Sequence, residues 1–242
     1  MYMQRTIDDY TYGIWFSPVR RGRTSPGELS FGESTRYARR HHENLIDCPI
    51  GRSNPGRYQG PLRFSPLSTK PLANQYWAVD ASFSYNGRAL MPATPTVLDS
   101  GTTLIVLNSD AFQQYKAATG ATEDPKTGML RIPEDYYKYI KNLDIWIQGV
   151  GKLILTPNAQ IWPRTYAGAA GGQRGYIYLA IADVSLRPQT HRGTSDGHSQ
   201  SQRPDSGVVL GMVFLERYYT YYDGRQHRIG FAATDNTFSE TN

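Results

Sequence analysis

A chain of 242 residues can bury one substantial core or two small ones, and 18 tyrosines, 23 glycines and 15 prolines against 19% charged residues suit strands and tight turns better than a helical bundle. The formal charge of +5 does not make a nucleic-acid binder, because Arg20, Arg21, Arg23, Arg36, Arg39 and Arg40 crowd the first stretch without a helical face, interleaved aromatics or a recognition motif. No run approaches the roughly 20 apolar residues that span a bilayer, residues 1–11 are too polar for the apolar part of a secretory signal, and the single cysteine, Cys48, leaves the compartment unread.

In chain order, Ile14-Trp15-Phe16 and the alternating Glu28-Leu29-Ser30-Phe31 predict short strands. From about residue 33 to 56 periodicity is lost among Arg39-Arg40-His41-His42, Cys48 and Pro49, which predicts an insertion or long loop. Strand patterning returns over residues 58–64 and 76–85, closed by an Asn86-Gly87 hairpin turn. The apolar run Thr96-Val97-Leu98 stops at Asp99-Ser100-Gly101-Thr102-Thr103 and resumes over residues 104–107. Ser109 as N-cap, Phe112 and Tyr115 on one face and Gly120 as a left-handed stop predict a helix. A second is predicted after Pro133, with Glu134 and Asp135 in its first turn and Lys138 and Lys141 towards its end. Strands follow at 143–147, at 152–156 and as one run over 176–182. Residues 186–206 form a second polar stretch, too poor in apolar groups to order itself. The chain closes with a buried strand over 208–211, a helical turn at Leu215-Glu216-Arg217, and a hairpin of 218–222 with 227–232 across Asp223-Gly224.

The turn at 99–103 has a rationale at each position. A carboxylate that activates water must sit on a rigid turn, held by local donors between anchored apolar runs. Gly101 lets the backbone approach the acid, Thr102 offers it a hydroxyl, and Ser100 offers another that could lock the loop. Other sets of letters lack such a setting. Asp205-Ser206-Gly207 follows Gln202-Arg203-Pro204 rather than an apolar pair, and Gly193-Thr194-Ser195-Asp196-Gly197 with His198 lacks the strand and helix that a serine-nucleophile elbow requires. His41, His42 and Cys48 match no zinc spacing, so no metal and no cofactor is expected.

Val97-Leu98-Asp99-Ser100-Gly101-Thr102-Thr103 resembles the second active-site signature of the pepsin family of aspartic peptidases, with Ser100 standing for the usual threonine. Val209–Tyr219 resembles the family's closing segment, Arg228-Ile229-Gly230-Phe231-Ala232 its last strand, and Leu155–Arg164 the fungal polyporopepsin branch; Gly27–Gly32 fits as well, and the motifs run in order from about Gly13 to the end. Met212 departs from the acid that animal pepsins carry, and the first Asp-Thr-Gly-Ser signature and the flap hairpin are absent.

The resemblance implies a mainly β fold with short helices. Residues 13–242 would form a single C-terminal lobe, half of the bilobal acid-protease fold, interrupted at about 33–56 and 186–206 by surface loops or translated introns; residues 1–12 do not conform. It implies an aspartic endopeptidase with Asp99 as catalyst, Ser100, Gly101 and Thr102 as the active-site loop, Thr103 near the substrate backbone, and Val97 and Val209 lining or supporting substrate pockets. The substrate would be polypeptide. Because the family's chemistry takes two aspartates, the chain needs the missing N-terminal lobe, or a second copy as in retroviral proteases; alternatively it is an inactive lobe that binds or inhibits through half a peptide cleft. The family is mostly secreted or vacuolar.

Overall fold

The computed structural model describes residues 9–18, 26–32, 53–186 and 207–240. Its strands in chain order are β1 (Thr11–Phe16), β2 (Gly27–Phe31), β3 (Gln59–Pro66), β4 (Ala78–Tyr85), β5 (Arg88–Leu98), β6 (Ile105–Leu107), β7 (Thr122–Glu123), β8 (Leu130–Pro133), β9 (Leu143–Ile147), β10 (Gly151–Leu155), β11 (Tyr176–Leu179), β12 (Ile181–Asp183), β13 (Val208–Leu210), β14 (Tyr218–Asp223) and β15 (Arg228–Ala233). Among the described residues three α-helices accompany them: α1 (Ser109–Thr119), α2 (Arg164–Ala167) and α3 (Met212–Leu215). The mainly β architecture read from composition and pattern is what the chain adopts. The polar stretches at about 33–56 and 186–206 lie, but for their edges, outside the described residues.

Two large sheets carry the molecule. One is antiparallel throughout in the order β2-β1-β14-β15-β3, and the other runs β10-β9-β4-β5-β13-β6-β12; a small sheet, β11-β8-β7, stands apart. In the second sheet β13 is parallel to β5 and antiparallel to β6, while β12 is parallel to β6. Strand β14 is buried along its whole length, so its tyrosines serve both faces: Tyr218 and Tyr222 join the main apolar cluster with Phe83, Phe214 and Phe231, while Tyr219 and Tyr221 on the other face meet the rings of Tyr58 and Phe64. Among the described residues no helix is long and apolar enough to cross a membrane.

Four local expectations need correcting. The cap of α1 is Asn108, whose side-chain oxygen accepts the Ala111 N–H at 2.8 Å; Ser109 is one residue inside and donates instead to Asp183 Oδ1. The predicted second helix is a 3-10 turn, Glu134–Tyr139, which ends as Ile140 turns extended and enters the core. The run 176–182 is two strands in two sheets. At the break, Ala180 gives its N–H to Gln160 O and receives the Ile105 N–H on its own carbonyl. Finally, β5 starts eight residues before Thr96. Pro92 and Pro95, which donate no ladder hydrogen bond, precede the Thr96–Leu98 stretch that is paired on both sides.

One buried polar knot fastens α1 to this frame. Gln160, fully buried, accepts from Tyr115 Oη at 2.9 Å and donates to the carbonyls of Lys141, Leu155 and Thr156 at 2.9, 2.9 and 3.1 Å. Gln160→Leu strands these groups, so urea denaturation at unchanged slope should show a loss of roughly 2–4 kcal/mol.

Candidate active site

Strand β5 ends at Leu98, β6 begins at Ile105, and β13 lies between them. The loop that bridges the two outer strands is therefore fed by three converging strand ends. Asp99 N–H donates to the Leu210 carbonyl at 3.1 Å, and Thr102 N–H closes the turn on Asp99 O at 3.2 Å. Each carboxylate oxygen has its own donor: Oδ1 accepts from Gly101 N at 2.8 Å and Oδ2 from Thr102 Oγ1 at 2.7 Å. Two donors on two oxygens fix the plane of the group, while Asp99 keeps part of its surface open to solvent.

The strand end behind the loop is shaped to receive it. A Cβ on Gly211 would lie 2.3 Å from Thr102 O and 2.4 Å from Leu104 O, so glycine is needed for the close approach. Immediately after it, Met212 N and Val213 N donate to Thr102 O and Thr103 O at 2.8 and 3.1 Å, tying the first turn of α3 to the loop. Under the carboxylate lies an aromatic group that the sequence pattern did not mark. Tyr222 stacks on Tyr12 with centroids 4.5 Å apart, and Trp77 stands edge-on to both. Burial, and then the negative charge of Asp99, drive the Tyr222 phenol well above its ordinary pKa, so it remains a neutral neighbour of the acid.

Of the residues singled out from sequence, Asp99, Gly101 and Thr102 are brought together as described. Ser100 is exposed, and its hydroxyl meets no partner among the described residues. Val97 and Val209 face each other in the parallel register of β5 and β13, and both lie outside the main apolar cluster that takes Leu98, Val208 and Leu210. Thr103 is exposed beside a cavity of about 130 Å³ whose walls include Ile161, Trp162, Tyr166, Met212 and Glu216. His41, His42, Cys48, Ser195, His198, Asp205 and Ser206 lie outside the described residues.

Glu216 is the unexpected member of this group. Burial lifts its carboxyl to about 7, against a smaller downward pull from Arg217. The Arg217 guanidinium is turned elsewhere: Nη1 donates to Asn236 O and Ser239 O at 3.2 and 2.7 Å, and Nη2 to Asn158 Oδ1 at 3.1 Å. No hydrogen bond or ion pair reaches the Glu216 side chain among the described residues. The helical turn expected at Leu215-Glu216-Arg217 falls three residues earlier, as α3 at Met212–Leu215 with Glu216 just past its end, and nothing local in the sequence showed that Glu216 lines a cavity.

A mostly β lobe that mounts a two-donor aspartate on an Asp-Ser-Gly-Thr turn, knitted to a Leu-Gly strand end, defines the aspartic peptidase class. The chain belongs to the eukaryotic aspartyl protease family, whose model matches residues 35–234. It is 30% identical to polyporopepsin of Irpex lacteus over all of its own length and 62% of that protein's. A crystal structure of the Irpex lacteus aspartic proteinase superposes with a TM-score of 0.78 at 30% identity, over all of this chain and 61% of the other. Aspartic protease 1 of Toxoplasma gondii is 26% identical over 78% of this chain and 31% of that protein. The chain thus spans about 62% of the first of these relatives and less of the second.

Two variants test this construction. Gly211→Ala must push the loop carbonyls aside, and thermal or urea unfolding should show a loss of at least ~2 kcal/mol. Glu216→Gln acts in the opposite sense. The folded carboxyl titrates at about 7 rather than the ordinary 4.5, so the folded state holds its proton more tightly and stability falls as pH rises through that window. The glutamine variant should therefore be more stable than the parent by roughly 1–3 kcal/mol near pH 8 and little different near pH 4.

Proposed function

We propose that this chain is the C-terminal lobe of an aspartic endopeptidase, with Asp99 as one carboxylate of a proton-sharing pair and the second supplied by a complementary lobe. The observation that carries the reading is the geometry of Asp99 itself. Its partners are the Gly101 amide and the Thr102 hydroxyl, and no acidic side chain among the described residues hydrogen-bonds to it. A rigid, partly open carboxylate without a second acid is half of a dyad.

Two carboxyl groups a few ångströms apart cannot both ionise, so one remains an acid. The ionised member removes a proton from a water held between them, and the water oxygen bonds to the peptide carbonyl carbon. The protonated member delivers its proton to the carbonyl oxygen. Breakdown of the tetrahedral intermediate cleaves the C–N bond, and a proton passes to the departing amine. Within this scheme Gly101 and Thr102 hold the plane of Asp99, the exposed Thr103 lies along the peptide backbone, and Val97 and Val209 support the apolar side of the cleft. The substrate is polypeptide, and an acidic vacuolar or extracellular setting keeps the pair singly protonated.

The test mixes the purified chain with the part of Irpex lacteus polyporopepsin outside the matched span and follows cleavage of an internally quenched peptide at about pH 4. The chain alone should be inert, the mixture active, and Asp99→Asn in the mixture slower by about 10³-fold or more. Turnover by the chain alone that rises steeply with its own concentration would put the second carboxylate on a second copy. Turnover that is independent of concentration and survives Asp99→Asn would overturn the reading.

A further inference from the structure

The cavity beside Thr103 joins apolar walls to one acid, Glu216, that has no hydrogen bond or ion pair among the described residues. We propose that it is a binding pocket for a lysine side chain of the bound peptide, with Glu216 as its specificity-determining residue. The inference rests on the reading of Asp99 and Thr103 as part of a peptide cleft, and it names a residue class which that cleft selects.

Three observations support it. The first is position: Thr103 lies on the cavity and is joined to the Asp99 turn, while its carbonyl holds the Val213 amide at 3.1 Å. A peptide running along the loop therefore has the opening within a side chain's reach. The second is size and lining. Cavities of about 150 Å³ accept guests as large as benzene, so the 130 Å³ between Ile161, Trp162 and Met212 takes the four-methylene stem of lysine. The third is charge. A partly buried carboxylate gains from a cation that meets it, and among the described residues the cations nearby are engaged elsewhere. Arg217 is bonded to Asn236, Ser239 and Asn158. Arg164 pairs with Glu134 at 3.3 Å and lies over the Tyr137 ring.

The acid is also a switch for this selectivity. Around α3 are packed β1, β6, β13, β14 and the 3-10 turn Pro157–Gln160. Their titratable side chains are Tyr12 on β1 and Tyr218, Tyr219, Tyr221, Tyr222 and Asp223 on β14. Beyond burial, the charge that acts on Glu216 is that of Arg217. Glu216 is therefore neutral in the acidic setting of turnover, where the pocket takes an uncharged side chain, and ionises as pH rises through about 7; the selection of an ammonium belongs to that higher range and lapses in acid.

The probes are n-butylammonium and n-butanol, titrated into the whole chain carrying 13C-methyl methionine, with the Met212 methyl as reporter. Near pH 8 the ammonium should bind about tenfold more tightly than the alcohol, near pH 5 the two should be alike, and Glu216→Gln should make them alike at both. Equal binding near pH 8, or a preference that persists in Glu216→Gln, overturns the proposal. A second arm fixes the source of the cation. Oligopeptides with lysine or norleucine scanned through each position are bound to Asp99→Asn protein near pH 8, where at least one lysine peptide should bind about tenfold better than its norleucine counterpart. If none does although butylammonium binds, the pocket receives its cation from another polypeptide and the substrate assignment fails. Neither arm needs turnover, so failure of the dyad leaves both readable.

Discussion

The bond from Asp99 N–H to the Leu210 carbonyl joins residues more than a hundred positions apart, and the site depends on it. It carries β13 between β5 and β6, so that one strand runs parallel to its neighbour on one side and antiparallel on the other. Such an arrangement leaves the loop between the outer strands without a hairpin partner of its own. Its backbone groups are satisfied by the end of β13 and the first amides of α3. Gly211 makes this possible, because any side chain there would occupy the space of the Thr102 and Leu104 carbonyls. The stiffness of the turn that carries the carboxylate is thus a property of the whole sheet, transmitted through backbone hydrogen bonds and completed by the Thr102 hydroxyl on Oδ2.

The aromatic group under the loop extends the same constraint to the other sheet. Tyr12 comes from β1, Tyr222 from β14 and Trp77 from the residue before β4, whose carbonyl also accepts the Leu98 N–H at 2.9 Å. Stacked and edge-on rings add about 0.5–1.5 kcal/mol per pair to the area they bury. Here they hold the strand that delivers Asp99 against the strand that crosses the molecule's centre. A phenol kept neutral by burial adds no second negative charge beside the acid. The site is rigid on its inner side and open on its outer side.

Where signals were local, the sequence was readable. The Asp-Ser-Gly-Thr turn between apolar runs, the buried face of α1, the Asn86-Gly87 turn and the closing hairpin all follow from neighbours within a few residues. The turn is formed with both central residues at positive φ, 51° and 78°. What escaped was set by distant partners. The cap expected at Ser109 lies one residue earlier, at Asn108, while Ser109 donates to Asp183 across the fold. An unbroken apolar run over 176–182 gives no hint that Ala180 must serve two sheets. Two prolines hid most of β5. Tyr222 looked like any strand tyrosine, because its place beneath Asp99 depends on how the two sheets meet.

Glu216 and Arg217 show how adjacent opposite charges can fail to pair. They leave α3 at its C-terminal end, where successive side chains diverge. The guanidinium is taken by carbonyls of the final segment, and the Arg217 carbonyl in turn accepts from Thr234 and Thr237 hydroxyls at 3.3 and 2.5 Å. That network gives Arg217 a structural task, closing the C-terminal segment onto the body of the fold. Redirecting it to Glu216 would leave several buried carbonyls without donors, each at a cost of about 1–3 kcal/mol. The acid is therefore left facing the cavity because its natural partner is worth more elsewhere. A carboxyl beside the active loop, with no hydrogen bond or ion pair among the described residues, is the consequence.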